Sequence, residues 1–157
     1  MSNEPISHLV FSIADCLLAL PLKDVLRVIN YTSRARSDPH PMGVMQMGQH
    51  ILKIIDLHQW VQPHSTSDRS NHQFLVVTYD IQEGLLGIPI DGGPDLMEFF
   101  PENMHPLPQT ERRSSLAEIV SHVVVIPQQE ATNTIFLLQL PIIKHANFKG
   151  LSIEKQG

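Results

Sequence analysis

The sequence predicts an all-β protein, either a barrel or a sandwich. Its apolar residues fall into short runs rich in Val, Ile and Leu, which glycine, proline or clusters of polar residues interrupt. The runs come in pairs across tight turns, as in β-hairpins. The second half of the chain also repeats the order of elements in the first half.

The first half begins with a hairpin and a third strand. Residues 8–13 alternate between apolar and polar positions, and residues 16–20 are almost continuously apolar, so we expect two strands that turn at Ala14-Asp15. A single turn at Lys23-Asp24 leads into a third strand over residues 25–29. Residues 30–41 contain two prolines and many polar side chains, which predicts an exposed loop.

Residues 42–60 predict a second hairpin, around which the rest of the chain is organised. Apolar runs lie on both sides of Gly48-Gln49, and the second run ends at Asp56 before a short helical turn. We interpret Asp56 as a cap that accepts backbone N–H groups there, and not as a catalytic carboxylate. The methionines Met42, Met45 and Met47 fit either a core or an adaptable binding surface, and a core role is favoured.

The second half follows the same plan after a polar stretch, residues 61–73, which is the best internal boundary. The expected elements are strands over residues 74–79, 85–90 and 95–100, a proline-rich loop over 101–113, strands over 120–126 and 135–140, and a helical turn over 141–145. Residues 17–29 resemble residues 85–99, since both contain Leu-Leu, a small residue, an aliphatic residue and proline. Each half is too small for a robust core, so we expect the halves to share apolar surface and to offer a partner site where they meet.

Composition excludes several classes of function. A net charge of -5 with scattered Lys and Arg argues against nucleic-acid partners and against direct membrane contact. The single cysteine, Cys16, has no partner for an internal disulfide, and the N-terminal residues lack the pattern of a signal peptide. No apolar run has the length of a membrane span. These observations predict a cytoplasmic protein.

The sequence contains no constellation that indicates catalysis. The nine histidines lack the short paired spacings of zinc sites, and the aspartates at turns, Asp15, Asp24, Asp56 and Asp91, form no acid/base pair. There is no phosphate loop and no nucleophile elbow, and Cys16 is expected to be an inert buried thiol. We therefore predict no enzyme activity, no cofactor and no metal. A small-ligand or metal-binding β-barrel stays open as a function, and a compact hydrolase ranks below it.

Residues 43–57 resemble a motif of the CheW-like adaptors of bacterial chemosensory arrays. The stretch GVMQMGQHILKIIDL is similar in length and pattern to the family's G-V-[IV]-N-L-R-G-x-[IV]-[VL]-P-[VI]-[IV]-D-L. The opening strand at residues 9–11, the V-x-E-V hairpin at 17–28, the G-[IL]-x-V-D strand at 86–91 and the closing L-L-D-L at 137–140 also have counterparts. The resemblance extends over residues 8–144.

The resemblance implies a single domain over residues 8–146, made of two SH3-like five-stranded β-barrels around a shared apolar core. The barrels are expected at about residues 8–62 and 72–145, with flexible tails at 1–7 and 147–157. It also implies a non-catalytic adaptor between the cytoplasmic tip of a chemoreceptor and the regulatory domain of a CheA-type histidine kinase; self-association stays open. By motif position, the groove that binds the receptor would include Val25, Arg27, Met45, Gln46, Met47 and Gly48.

The chain departs from the family pattern at the positions of a charge pair. Arg27 stands where the family has Glu, and Gly48 stands where it has Arg. Lys53 replaces the motif's proline. If residues 27 and 48 face each other, Arg27 has no opposite charge there and is free to meet an acidic group on a partner. We therefore expect a divergent adaptor for chemotaxis or motility signalling.

Overall fold

The structure is a computed structural model that describes residues 4–31, 43–61, 73–82, 84–92, 94–107, 115–127 and 132–139. Within them the chain forms eleven strands, and the helical elements are short turns. The strands are β1 Ile6–Ile13, β2 Cys16–Pro21, β3 Val25–Asn30, β4 Val44–Met47, β5 His50–Ile54, β6 Phe74–Asp80, β7 Gly84–Ile90, β8 Asp95–Phe99, β9 Met104–Pro106, β10 Val120–Pro127 and β11 Thr132–Leu138. One helical turn, α1, comprises His58–Val61, and 3-10 turns comprise Leu22–Asp24, Pro101–Asn103 and Ser115–Glu118.

The strands form two sheets. The six-stranded sheet has the order β8-β1-β2-β11-β10-β9, and the five-stranded sheet has the order β3-β6-β7-β5-β4. Neighbouring strands are antiparallel except for β2 with β11 and β5 with β7, which are parallel. The all-β prediction is confirmed. The six-stranded sheet has one strand more than expected, because β9 pairs with β10 inside the segment predicted as a proline-rich loop.

A shared apolar core lies between the sheets. Buried side chains of β1 and β2 from one sheet pack in one cluster with those of β6 and β7 from the other, and the cluster includes Phe11, Leu18, Val76 and Ile88. Each sheet also has a small cluster of its own on its other face. That of the six-stranded sheet includes Val10 and Ile135, and that of the five-stranded sheet is formed by Leu52, Leu75 and Val77. Alternation along each strand therefore divides its side chains between two cores.

The sheets do not follow the predicted halves of about residues 8–62 and 72–145. The chain leaves the six-stranded sheet after β2 and enters the five-stranded sheet at β3, and it makes the reverse crossing between β7 and β8. Each half thus contributes its first hairpin to one sheet and its later strands to the other. The reason is that β5 and β11 each pair in parallel with a strand of the opposite hairpin, namely β7 and β2.

The hairpin turns follow the predicted positions. Ala14 and Asp15, between β1 and β2, both have positive φ, at 49° and 68°. The N–H of Ala14 donates to the Asp91 carboxylate, and the N–H of Asp91 donates to the carbonyl of Ser12. Asp91 therefore closes a turn, as expected, and ties the second crossing to the first hairpin. The predicted helical turn at residues 141–145 lies outside the described residues.

Asp56 has the predicted capping role. Its Oδ1 accepts the backbone N–H of His58, the first residue of α1, at 2.9 Å. Trp60 of α1 donates from Nε1 to Oε2 of Glu118 at 3.1 Å, which links the end of the first half to the turn before β10. Within the described part of the chain, no helix combines the length and the apolar composition that crossing a bilayer requires.

Candidate partner-binding site

The predicted site residues lie in two segments, residues 25–27 and residues 45–48, which lie at the same end of the five-stranded sheet. β3 is antiparallel to β6, so its first residues lie beside the end of β6, where Val25 pairs with Thr78. β5 is parallel to β7, so its first residues lie beside the start of β7. The β4–β5 turn, the β6–β7 turn and the start of β3 therefore share one end. We call this end, with Leu26, Arg27, Gly48, Tyr79 and Ile81, the turn end.

Val25 and Arg27 lie on β3, which is an edge strand. A β-bulge between them lets Val25 pair with Thr78 and Arg27 with Val77, so Leu26 has no residue opposite it. Val25 is half-buried and packs against the shared core. Arg27 is exposed. Of this pair, only the side chain of Arg27 is exposed to solvent.

The methionines of β4 point into the barrel. Met45 pairs with Leu52, which is fully buried, and both Met45 and Met47 pack against the small core of the five-stranded sheet. This placement fits the core role, because both side chains are partly buried in that cluster. Gln46 lies on the opposite face of β4 and is exposed.

Gly48 is exposed at the tip of the β4–β5 hairpin. Its φ is +62°, and a Cβ there would meet no atom within 4 Å. Gln46 donates from Nε2 to the carbonyl oxygen of Gly48 at 3.2 Å. Gly48 and Arg27 lie at one end but on opposite edges, since β6, β7 and β5 separate β3 from β4. The two altered motif positions therefore do not form a pair across adjacent strands.

Three apolar side chains at the turn end escaped the sequence analysis. Leu26 is 58% exposed, Tyr79 is 57% exposed and Ile81 is 90% exposed. Leu26 is exposed at the β-bulge, and the sequence does not reveal that bulge. Tyr79 follows the inward positions of Leu75 and Val77 on β6, but the small core ends before it. Exposed apolar side chains grouped in this way are typical of a surface that binds another protein.

The described residues contain no group of three His, Cys, Asp or Glu that could hold a metal ion. A cleft of about 320 Å³ lies beside the β1–β2 turn, with walls from Ala14, Asp15, Cys16, Leu17, Val61, Thr134 and Phe136. Cys16 was expected to be buried, but it is half-buried in the wall of this cleft. Cys16 is the first residue of β2 and lies at the end of the sheet, where other residues no longer cover both faces of the strand.

Two interleaved sheets around one core, with exposed apolar residues at a sheet end, define a protein-interaction module. The sequence matches the CheW-like domain over residues 7–141, so the chain belongs to the family of CheW-like proteins, which are chemotaxis adaptors and scaffolds. Its structure is similar to the scaffolding protein TtCheW from Thermoanaerobacter tengcongensis, with a TM-score of 0.65 and 17% identity over 88% of this chain and 87% of that one. A comparison with curated protein sequences finds no match.

Proposed function

We propose that this protein is a cytoplasmic, non-catalytic adaptor that couples a chemoreceptor to a CheA-type histidine kinase in chemotaxis or motility signalling. One partner is the cytoplasmic tip of the receptor, and the other is the regulatory domain of the kinase. The match to the CheW-like domain over residues 7–141 carries this proposal. The exposed apolar side chains at the turn end supply a surface for it.

The turn end fits the apolar face of a partner. Leu26 lies at the β-bulge of β3, Tyr79 lies in the β6–β7 ladder opposite Leu85, and Ile81 follows that ladder in the β6–β7 turn. A surface on a rigid sheet loses little conformational entropy when it binds. Burying these side chains against a partner would remove apolar area from water, which is the main source of affinity at such contacts.

Arg27 gives this surface its charge. It is exposed beside Leu26 at the turn end. The family motif has Glu at the position of Arg27. A partner of this chain would therefore carry an acidic group where the partners of other family members carry a basic one. Such a change alters partner choice more than affinity, because a rim charge mainly selects the complementary partner.

Titration of a receptor-tip fragment and of a kinase regulatory domain into the full chain tests the proposal. We expect Ile81→Asp and Leu26→Asp to weaken binding of at least one partner by about tenfold or more, because each places a charge in an apolar contact. Val125→Asp is the matched control, since Val125 is also exposed on a strand but belongs to the six-stranded sheet. The control variant should bind as the wild type does.

Charge reversal at Arg27 tests partner choice. Arg27→Glu should weaken binding of this protein's own partner, with a larger loss at low salt, because salt screens exposed charges. Lys53→Glu makes the same change of charge on β5 of the same sheet and should have little effect. Wild-type protein that binds neither partner would refute the adaptor role, and equal losses in Arg27→Glu and Lys53→Glu would refute the assignment to the turn end.

A further inference from the structure

Among the described residues, no strand pairs with the outer edge of β8. β8 is the last strand of the six-stranded sheet, and among the described residues it pairs only with β1, from Phe99 opposite Ile6 to Asp95 opposite Val10. An edge strand presents unpaired N–H and C=O groups in a row, which can pair with a further strand. β8 has no proline and no bulge along this ladder. Its backbone is therefore available for pairing.

The side chains on one face of β8 alternate between apolar and acidic. Leu96 is 67% exposed, Glu98 is exposed, and Phe100, which continues the extended backbone just after β8, is 39% exposed. Residues two apart on a strand lie on the same face, so these three form a stripe along the edge. Asp95 and Glu102, also exposed, lie at the two ends of the stripe.

The acidic charge of this edge is not balanced within its own sheet. No lysine or arginine occurs in any of the six strands of that sheet. Of the three lysine and arginine residues that the structure describes, Arg27 and Lys53 are on strands of the five-stranded sheet, and Lys23 is in the 3-10 turn that follows β2. A segment that adds to β8 would therefore meet a negative field, and cationic side chains on it would be favoured.

We propose that the outer edge of β8 binds an extended, basic segment of a partner protein by adding it to the six-stranded sheet as a further strand. Main-chain hydrogen bonds to β8 would supply affinity. Lysine or arginine opposite Glu98, and apolar side chains beside Leu96 and Phe100, would supply specificity. The added strand needs apolar and basic side chains in turn on the face that continues the stripe, because cross-strand neighbours on one face contact each other directly.

This edge gives the protein a second docking surface that the proposed function does not include. β8 ends the six-stranded sheet, whereas the turn end belongs to the five-stranded sheet, so the two surfaces lie on different sheets. A partner bound at the β8 edge need not displace a partner bound at the turn end. The β8 assignment can fail while the turn end still binds its partners, and the reverse also holds.

Binding of a short synthetic peptide to the full chain tests the inference; its sequence is Val-Thr-Lys-Thr-Val, which places valine, lysine and valine on one face of a strand. We expect binding that weakens with added salt, and about a tenfold loss of affinity in Glu98→Gln and in Leu96→Asp. Gln139→Lys is the control for net charge, because it also adds one positive unit and lies beyond β11, away from β8. It should bind the peptide nearly as tightly as the wild type.

Hydrogen exchange separates strand addition from loose charge attraction. Bound peptide should slow exchange of backbone amides within Asp95–Phe99 and leave the amides of β4, an edge strand of the five-stranded sheet, unchanged. Peptide binding without protection of β8, or equal binding by Glu98→Gln and the wild type, would overturn the assignment. It would also be overturned if Glu98→Gln self-associates while wild-type protein binds no peptide, because the acidic residues would then serve only to prevent edge-to-edge pairing.

Discussion

The two sheets share a plan but present different surfaces. Each combines a hairpin from one half of the chain with strands from the other half, and each has a parallel pair at its centre. The five-stranded sheet exposes apolar side chains and Arg27 at its turn end, whereas the six-stranded sheet exposes an acidic edge at β8. The comparison teaches that core positions preserve the architecture of a duplicated fold, while edges and turns are free to become binding surfaces.

The largest loss of stability is expected from a substitution in the core that the two sheets share. Phe11 is buried in the shared core, so Phe11→Ala should lower the free energy of unfolding by about 3–5 kcal/mol. Because both sheets contribute to that core, we expect them to unfold in one transition. Denaturant unfolding followed by Trp60 fluorescence and by circular dichroism measures this.

Leu96→Ala is the control for Phe11→Ala, since Leu96 is largely exposed and its truncation should change stability by about 0.5 kcal/mol or less. If amides of the five-stranded sheet keep full protection in Phe11→Ala while those of the six-stranded sheet exchange, the sheets do not depend on the shared core.

Two glycines that flank β4 separate backbone conformation from crowding. Gly43 and Gly48 both have φ of +62°, but a Cβ at Gly43 would lie 3.0 Å from the carbonyl oxygen of Ile54, whereas one at Gly48 meets nothing. We expect Gly48→Ala to cost about 1 kcal/mol for the left-handed conformation, and Gly43→Ala to cost about 1 kcal/mol more. Thermal unfolding of both variants measures the difference, and equal losses would show that the carbonyl moves away at no cost.

The hairpin turns of the two sheets differ in the residue types that have positive φ, and a substitution can remove this difference. The β4–β5 turn has glycine at its positive φ, but the β1–β2 turn has Ala14 and Asp15 there. Asp15→Gly should therefore raise the free energy of unfolding by about 0.5–1 kcal/mol, because glycine adopts this region without steric cost. Asp15→Ala is the control and should not stabilise the protein, since alanine keeps the steric cost. A stabilised alanine variant would mean that the Asp15 side chain, and not its φ, is unfavourable.

The smallest effect at neutral pH concerns His8, which is buried on β1. Its ring lies 5.1 Å from that of Phe99 on β8, and Nδ1 donates to the carbonyl oxygen of Ile6. Burial lowers the pKa of His8 below its ordinary value of 6.5, and the hydrogen bond to Ile6 opposes this only in part. The unfolded chain therefore binds a proton more readily than the folded one, so stability falls as pH drops below the unfolded pKa.

His8→Gln should reduce the loss of melting temperature between neutral and mildly acidic pH. His105→Gln is the matched control, because His105 is exposed on β9 of the same sheet. If both variants lose stability with pH as the wild type does, protonation of His8 does not contribute to acid sensitivity.

The sequence predicted most strands because alternation and turn residues are local signals. β1, β2, β6 and β7 lie where the apolar runs place them, and Asp56 caps the turn that its position indicates. β9 was missed because it has only three residues, the last of them Pro106, and owes its extended form to pairing with β10. Leu26 and Tyr79 were missed for a different reason, since an apolar residue in a strand is normally assigned to the core, and Ile81 lies in the turn after β6.

The predicted binding residues show where motif position stops being informative. Arg27, Gln46 and Gly48 are exposed, whereas Met45 and Met47 pack inside the barrel. Their assignment to a groove remains a prediction. For this reason Leu26 and Ile81 are better test positions than Met47, whose replacement by a charged residue would disrupt the small core.

By itself, the sequence determined most of the strands, the turns at Ala14-Asp15 and Gly48-Gln49, the repeated plan and the absence of a recognisable catalytic motif, because each depends on residues close together in the chain. Only the tertiary structure decided which strands became neighbours. An alternating strand can bury its apolar face against either hairpin at similar free energy, so local pattern does not distinguish pairing within a half from the exchange seen here. The crossing after β2 and the reverse crossing after β7 result from that choice, and they leave β3, β4, β8 and β9 as the edge strands among the described residues.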